Sequence, residues 1–233
     1  MNQTNTSANG PLWQVIFSVF YLLIFPAILF FLSGDLRWAE GWIFSIIFCL
    51  LSFATVIYLY VKDPALLNER FGPPVQKGQK SWDKIWLSSF FLGFLVWFAI
   101  MPLDAKWFGW SPEFPLWIKM VGTLLFILAF IILFNALKEN TFAAPVVKLQ
   151  KERGQRVIST GLYGIVRHPM YSGGTLLFIG GPLLLGSVFG LAIGLLLIIL
   201  IAVRSEEEML RQELDGYNEY MKEVKWRLIP FVF

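Results

Sequence analysis

Apolar residues fall in long unbroken blocks along this chain, and block length, more than any finer periodicity, decides which elements they predict. Crossing a hydrocarbon layer about 30 Å thick takes roughly 20 apolar residues at about 1.5 Å of helical rise each. Four blocks reach that length: Leu12 to Leu32, Trp42 to Val61, Ile85 to Leu103 and Leu116 to Leu137. Turn signals such as Ser33-Gly34-Asp35 and Lys62-Asp63-Pro64 separate them. In lipid a backbone amide has no partner outside its own segment, so each block is predicted to be a helix. A fifth block, Met170 to Val203, is too long for one ordinary span and is broken by Gly180-Gly181-Pro182 and Gly186-Ser187. Two short helices turning near Gly186 fit it better than one long kinked helix. The expectation is therefore an all-α, polytopic transmembrane helix bundle of about six spans, with the last two forming a helical hairpin over 170–203. Beyond Val203, the residues Leu210, Leu214, Tyr217, Met221 and Val224 recur at helical steps and predict a cytoplasmic C-terminal helix lying on the membrane or on a loop.

Charge placement supports six spans. Lys and Arg accumulate in short cytoplasmic loops. Five of them lie between 62 and 84, six between 138 and 167 and five between 204 and 227, while the other side holds Arg37, Lys106 and Lys119. A single long final helix would put the basic tail opposite the other basic loops. Both termini are thus expected on the cytoplasmic side.

Composition agrees, with 57% hydrophobic and 15% charged residues against about 45–50% and about 25% in a soluble domain. No block resembles a separate soluble core, so one membrane domain is expected. It divides into a disordered N-terminus over 1–11, four transmembrane helices over 12–137, and a C-terminal region over 138–233 made of a cytoplasmic loop, the hairpin, a helix and a tail. The first apolar block has no Lys or Arg before it and should remain as a span. Cys49 is the one cysteine, which rules out an intrachain disulfide. No P-loop, dinucleotide-binding glycine pattern or Cys/His set for zinc occurs, so no metal and no nucleic-acid partner are expected. The spans carry almost no charge, which counts against an ion relay.

Candidate chemistry gathers near the hairpin. The string Gly161-Leu-Tyr163-Gly-Ile-Val-Arg167-His168-Pro169-Met170-Tyr171-Ser172-Gly173-Gly174 sets the only histidine against an arginine where loop meets hairpin. Pro169 suits a first helical turn. A second cluster, Arg204-Ser-Glu206-Glu207-Glu208, follows the last apolar residue, with Arg204 and Glu208 four apart on one helix face. Arginine at a membrane boundary also serves as a snorkelling anchor, and an Arg/Glu pair as an ordinary surface ion pair. Both clusters fall on the same membrane face and can meet at the base of the hairpin. A third element, Tyr217-Asn-Glu-Tyr220 followed by Trp226-Arg227-Leu-Ile-Pro230, reads equally as an amphipathic tail.

Taken together, Arg167-His-Pro-Met-Tyr-Ser-Gly173, Arg204-x-Glu-Glu-Glu208, Tyr217-x-x-Tyr220 and Arg227-Leu-Ile-Pro230 resemble the isoprenylcysteine carboxyl methyltransferases and their prokaryotic relatives. The resemblance covers roughly Gln155 to Pro230, and Asp63-Pro-Ala-Leu-Leu67 and Gly78-Gln-Lys-Ser-Trp-Asp83 look like bacterial members. It implies that 138–233 is a methyltransferase region binding S-adenosyl-L-methionine in a cytoplasmic pocket roofed by the tail, with a lipophilic small-molecule or prenylated acceptor entering from the membrane lipid. Carried over by motif, the cofactor contacts would be Gln155, Arg156, Val157, Ile158, Tyr163, His168, Pro169, Met170, Tyr171 and Glu208. The family often has a histidine where Gln155 stands here. Arg204 and Arg167 would face the acceptor, and Arg204, Tyr163 and Glu207 would be the catalytic residues. A prenylated-cysteine carboxylate is the acceptor the resemblance favours. A carboxylate is already ionised and needs no base, whereas an amine or thiol would call on one of Glu206 to Glu208 or on His168. Methylation of a phospholipid amine or small thiol, a sterol-reductase-like enzyme using NADPH and a non-catalytic scaffold stay open.

Overall fold

The computed structural model describes residues 12–73, 76, 78–202 and 206–232, and every regular element among them is helical. Helices α1 (Leu12–Ser33) and α2 (Ala39–Lys62) fill the first two apolar blocks. A short α3 (Pro64–Arg70) precedes α4 (Ser81–Pro102) and α5 (Leu116–Glu139), which fill the next two, and α6 (Pro169–Leu185) and α7 (Val188–Ala202) divide the fifth. Among the described residues α1, α2, α4 and α5 are each long and apolar enough to cross a membrane, and α6 and α7 are apolar but shorter. Side chains such as Phe20, Phe31, Leu50, Leu92 and Leu124 stand exposed along them, as lipid-facing residues of an integral membrane protein do. The segment 1–11, expected to be disordered, lies outside the described residues.

The fifth block is a hairpin. Gly186 adopts φ 79° and ψ 36°, closing α6 through its N–H on the Pro182 carbonyl at 2.9 Å, and α7 begins two residues later. That left-handed conformation favours glycine. Pro182 stays within α6 but offers no N–H to the Phe178 carbonyl four residues back. The packing there is tight, since a Cβ on Gly194 of α7 would sit 2.4 Å from that oxygen.

Glycines also set α6 against α5. A Cβ on Gly122 would lie 2.4 Å from the Leu184 nitrogen, and one on Gly180 would lie 2.6 Å from the Phe126 nitrogen. Lipid tails are as apolar as leucine, so helices in a membrane gain by approaching closely enough for dispersion contacts, and small residues permit it. Around this pair Phe44, Trp97, Phe98, Met101, Phe126, Phe178 and Leu197 form the core.

Three features depart from the sequence reading. The third span does not stop at Leu103; it runs on as a π-helical turn, Leu103–Phe108, ended by Gly109 at φ 62°. The wide turn puts Asp104 indoors, where one carboxylate oxygen accepts from Ser187 Oγ at 2.6 Å, Ser111 Oγ at 2.7 Å and the Phe189 amide at 3.2 Å. Buried charge is therefore present at the helix ends, in Asp104 and Asp83. Second, the segment after Lys62 is a helix and not a plain loop, because Asp63 Oδ1 caps the Leu66 amide at 3.0 Å and Pro64 occupies the first turn. Third, the C-terminal helix is two, α8 (Glu206–Glu213) and α9 (Tyr217–Glu223), broken at Gly216 with φ 80°.

Candidate functional site

One end of the bundle gathers the C-terminus of α2, the N-terminus of α4, the C-terminus of α5, the N-terminus of α6 and the C-terminus of α7. Over it fold the loop 140–168 and the helices α8 and α9. The loop is pinned from below by Asp83, fully buried, whose Oδ2 accepts from the Val147 amide and from Gln79 Nε2, both at 2.9 Å. From above, Val147 packs with Met209, Leu210, Tyr217, Tyr220 and Val224. The amphipathic stripe read from the sequence thus covers this loop.

The tail then returns to the hairpin base. Val166 and Trp226 form an isolated parallel bridge, and the amides of Arg167 and His168 donate to the carbonyls of Trp226 and Arg227 at 2.9 and 3.0 Å. Glu207 sits at the centre of the junction. Its Oε1 accepts from Arg167 Nε at 2.8 Å and from His168 Nε2 at 2.9 Å, and Arg227 Nε stands 3.7 Å away. A carboxylate only accepts, so His168 must carry its proton on Nε2. Arg167 also donates to the carbonyls of Val224 and Lys225, at 3.0 and 2.7 Å.

Beneath this cover lies a cavity of about 1030 Å³, part of it open to solvent. Of the residues expected at a cofactor site, Gln155, Arg156, Val157, Ile158, Tyr163, His168, Met170 and Tyr171 line it, together with Arg167. The sequence motifs and the geometry converge there. Pro169 is buried at the start of α6 and does not line the cavity. Nor does Glu208, which is exposed and turned towards Gln212 and Arg211; of the three acids it is Glu206 that lines the cavity, accepting from the Tyr171 hydroxyl. The physical reason is helical phase: Glu206 shares a face with the buried Met209 and Leu210, and Glu208 does not. Glu207, expected to be catalytic, lies behind the lining and holds Arg167 and His168. Arg167, expected to face the acceptor, spends its donors on Glu207 and the tail. Arg204 lies outside the described residues. Gln155 turns its Oε1 to the Gln150 amide at 2.7 Å.

Sequence reasoning missed Arg70, Asn140, Phe142 and Tyr217 in the lining. Arg70 ends α3, and the run Asp63-Pro64 that caps this helix was the available signal.

The Tyr217 hydroxyl, on a side chain 4% exposed, has no hydrogen-bond partner among the described residues. The backbone N–H and C=O groups of Arg156, Val157 and Ile158 make no backbone–backbone hydrogen bond among the described residues, and this stretch of chain is partly open to solvent. Native proteins rarely leave a buried group such as the Tyr217 hydroxyl unsatisfied, and a ligand is one of the things that satisfies it.

Tyrosines dominate the electrostatics. Burial pushes the Tyr163 phenol up to about 12, reinforced by the Glu206 charge and opposed by the Asn140 hydrogen bond and by Arg70. Burial likewise raises Tyr217 and Tyr220, the latter donating to the Tyr163 carbonyl at 2.7 Å. Tyr163 is therefore a neutral dipole at neutral pH, not a base. An unfolded tyrosine loses its proton near 10.0, while the folded one keeps it to about 12. Stability is thus full below pH 10 and falls by about 1.4 kcal/mol per pH unit as pH rises between the two values. Tyr217 and Tyr220 add to the loss in the same direction, so alkaline melts of wild type should fall at least this steeply, and Tyr163→Phe should make the fall shallower by its own share without abolishing it.

Residues 117–215 match the family model described as "Phospholipid methyltransferase", a family that includes the isoprenylcysteine carboxyl methyltransferase-like membrane enzymes. The match starts in α5, earlier than the motifs that carried the resemblance, and takes in both helices of the hairpin. No curated protein sequence matches the chain significantly.

Proposed function

We propose, from the match of residues 117–215 to the phospholipid methyltransferase family model, that this chain methylates a lipophilic acceptor with S-adenosyl-L-methionine at the cavity beneath α8 and α9. The reading is carried by one observation: a cavity of mixed polar and apolar lining, which holds the unpartnered Tyr217 hydroxyl, adjoins a mainly apolar groove among α1, α2, α3 and α5. The cofactor and a membrane-borne acceptor would approach from these two sides, with the cavity on the cytoplasmic face where the basic loops collect.

The residues present suit the cofactor. The free backbone edge of 156–158 matches the hydrogen-bonding edge of an adenine, the Tyr217 hydroxyl and Glu206 suit ribose or amino groups, and Tyr163 and Tyr171 offer aromatic faces to a sulfonium. When bound, S-adenosylmethionine supplies an electrophilic methyl group, which passes in line to the acceptor as the carbon–sulfur bond breaks and its electron pair returns to sulfur. The protein's part is to align the reactants and exclude water.

A carboxylate acceptor, best the carboxylate of a prenylated cysteine, fits this site better than an amine. His168 Nε2 is held by Glu207 and Glu206 accepts from Tyr171, so the cavity's basic groups are already engaged. A carboxylate has no proton to remove. Arg204, read from its motif, would face the acceptor.

Calorimetric titration of detergent-purified protein with S-adenosylhomocysteine, with NADPH in parallel, tests the reading. Saturable binding of the former is expected. Tyr217→Phe should weaken it by about three- to tenfold while leaving the melting temperature unchanged or slightly raised, since the lost hydroxyl has no partner among the described residues. Binding of NADPH alone would overturn the proposal in favour of a reductase, and binding of neither by folded protein in favour of a scaffold.

A further inference from the structure

The apolar groove holds about 1480 Å³, part of it open, and is walled by side chains such as Tyr21, Val56, Leu59, Leu133 and Phe134. Two residues line both groove and cavity, Arg70 and Met170. A cation thus stands where a mainly apolar passage meets a more polar chamber.

Arg70 is poorly matched there. A guanidinium presents five N–H donors. Among the described residues it makes one hydrogen bond, Nη1 to the Ala143 carbonyl at 3.1 Å, and no carboxylate is within ion-pair distance. Its neighbour Glu69 turns instead to Lys148, at 2.8 Å. The contrast with Arg167, held by Glu207 and two carbonyls, is sharp. Holding a half-buried guanidinium without a counter-charge is costly, and burial works against its charged form. A cationic sulfonium in the adjoining cavity would add repulsion unless an anion stood between the two charges.

We propose that Arg70 anchors an anionic group, a carboxylate or phosphate borne on a lipid, that reaches the cavity along this groove, and that it thereby selects acidic over neutral amphiphiles as acceptors. The proposal rests on the methyltransferase reading for the word acceptor alone; the anion site stands on Arg70 and the groove. Placed so, the anion neutralises Arg70 and turns its oxygens towards the cavity, with Met170 across the opening. Arg70 is a positioning and specificity residue.

The test uses the full chain in an uncharged maltoside detergent. Binding of N-acetyl-S-farnesylcysteine, its uncharged methyl ester and a short-chain phosphatidate is measured with and without S-adenosylhomocysteine. Wild type should bind an acid about tenfold or more tighter than the ester. Arg70→Gln should abolish that preference by lowering affinity for the acids far more than for the ester, and Arg70→Lys should restore part of it. Loss confined to the farnesylcysteine identifies a carboxylate source, loss confined to the phosphatidate a phosphate source, and loss of both a site for either. Equal binding of acid and ester by wild type overturns the proposal and needs no variant. So does an Arg70→Gln protein that keeps the preference but loses S-adenosylhomocysteine affinity, which would give Arg70 to the cofactor carboxylate. If Arg70→Gln does not fold, Arg70→Lys and the wild-type preference decide. Acid selectivity that depends on Arg70 in a protein binding no S-adenosylhomocysteine would sink the methyltransferase reading and leave the anion site intact.

Discussion

Glu207→Ala should lower stability by about 3–5 kcal/mol and abolish binding of S-adenosylhomocysteine. This carboxylate takes hydrogen bonds from Arg167 and His168 on Oε1 and a longer one from Arg167 Nη2 on Oε2, with Arg227 close by, and its side chain is only 15% exposed. Removing it leaves cationic side chains packed together without their counter-charge, and their desolvation is then unrepaid. The damage should spread, because the same arginine fastens the carbonyls of Val224 and Lys225 and so holds the tail against the hairpin base. Glu207→Gln keeps the shape and one acceptor oxygen and should recover part of the loss. One residue away, Glu208→Ala should stay within about 0.5 kcal/mol of wild type, since that side chain is 62% exposed. Thermal unfolding followed by tryptophan fluorescence, with calorimetry on the same samples, reads both. Equal effects of the two alanine variants would mean that the assignment of Glu207 to the junction is wrong.

Gly180→Leu is expected to prevent assembly of the bundle altogether. Its first side-chain carbon would lie 2.6 Å from the Phe126 nitrogen and a Gly122 oxygen is 2.9 Å from the same point, so backbone on a neighbouring helix would have to move. Overpacking costs about 1–3 kcal/mol where side chains can yield, and here α5 itself must shift along its length. Gly174→Ala provides the control. The nearest atom to its added carbon is Ile201 Cδ1, at 3.6 Å, and in mid-helix alanine gains up to about 1 kcal/mol over glycine. Size-exclusion profiles and melts should show Gly174→Ala at or above wild type and Gly180→Leu aggregated. A monodisperse, folded Gly180→Leu protein would refute the close α5–α6 contact.

Part of the site is legible in the amino-acid order alone. The string Gly161 to Gly174 and the pair Tyr217 and Tyr220 fix local chemistry, and both converge on the cavity because each lies at an end of a span that must return to the same membrane face. Glu206 and Glu208 show the limit. Three consecutive acids point in three directions on a helix, and only the contacts of Met209 and Leu210 fix which acid faces inwards. Arg70 shows a different limit. It is distant in sequence from the motifs of 155–230 that carry the candidate site, and its place in the lining depends on the cap at Asp63 and on how α3 packs on Leu59 and Leu137.

By itself the sequence determined that this is a helical membrane protein, where its long apolar helices lie, that Gly186 turns the last pair, and which family motifs it resembles. These follow from local causes: apolar length sets a span, a backbone in lipid must satisfy itself, and glycine alone turns left-handed without strain. Tertiary structure alone decided that α5 and α6 pack backbone to backbone, that Glu207 binds two halves of the site together, and that Arg70 stands between groove and cavity. Those outcomes depend on distances between residues far apart in the chain. Spans that are apolar all round carry no stripe from which their neighbours or their facing could have been read.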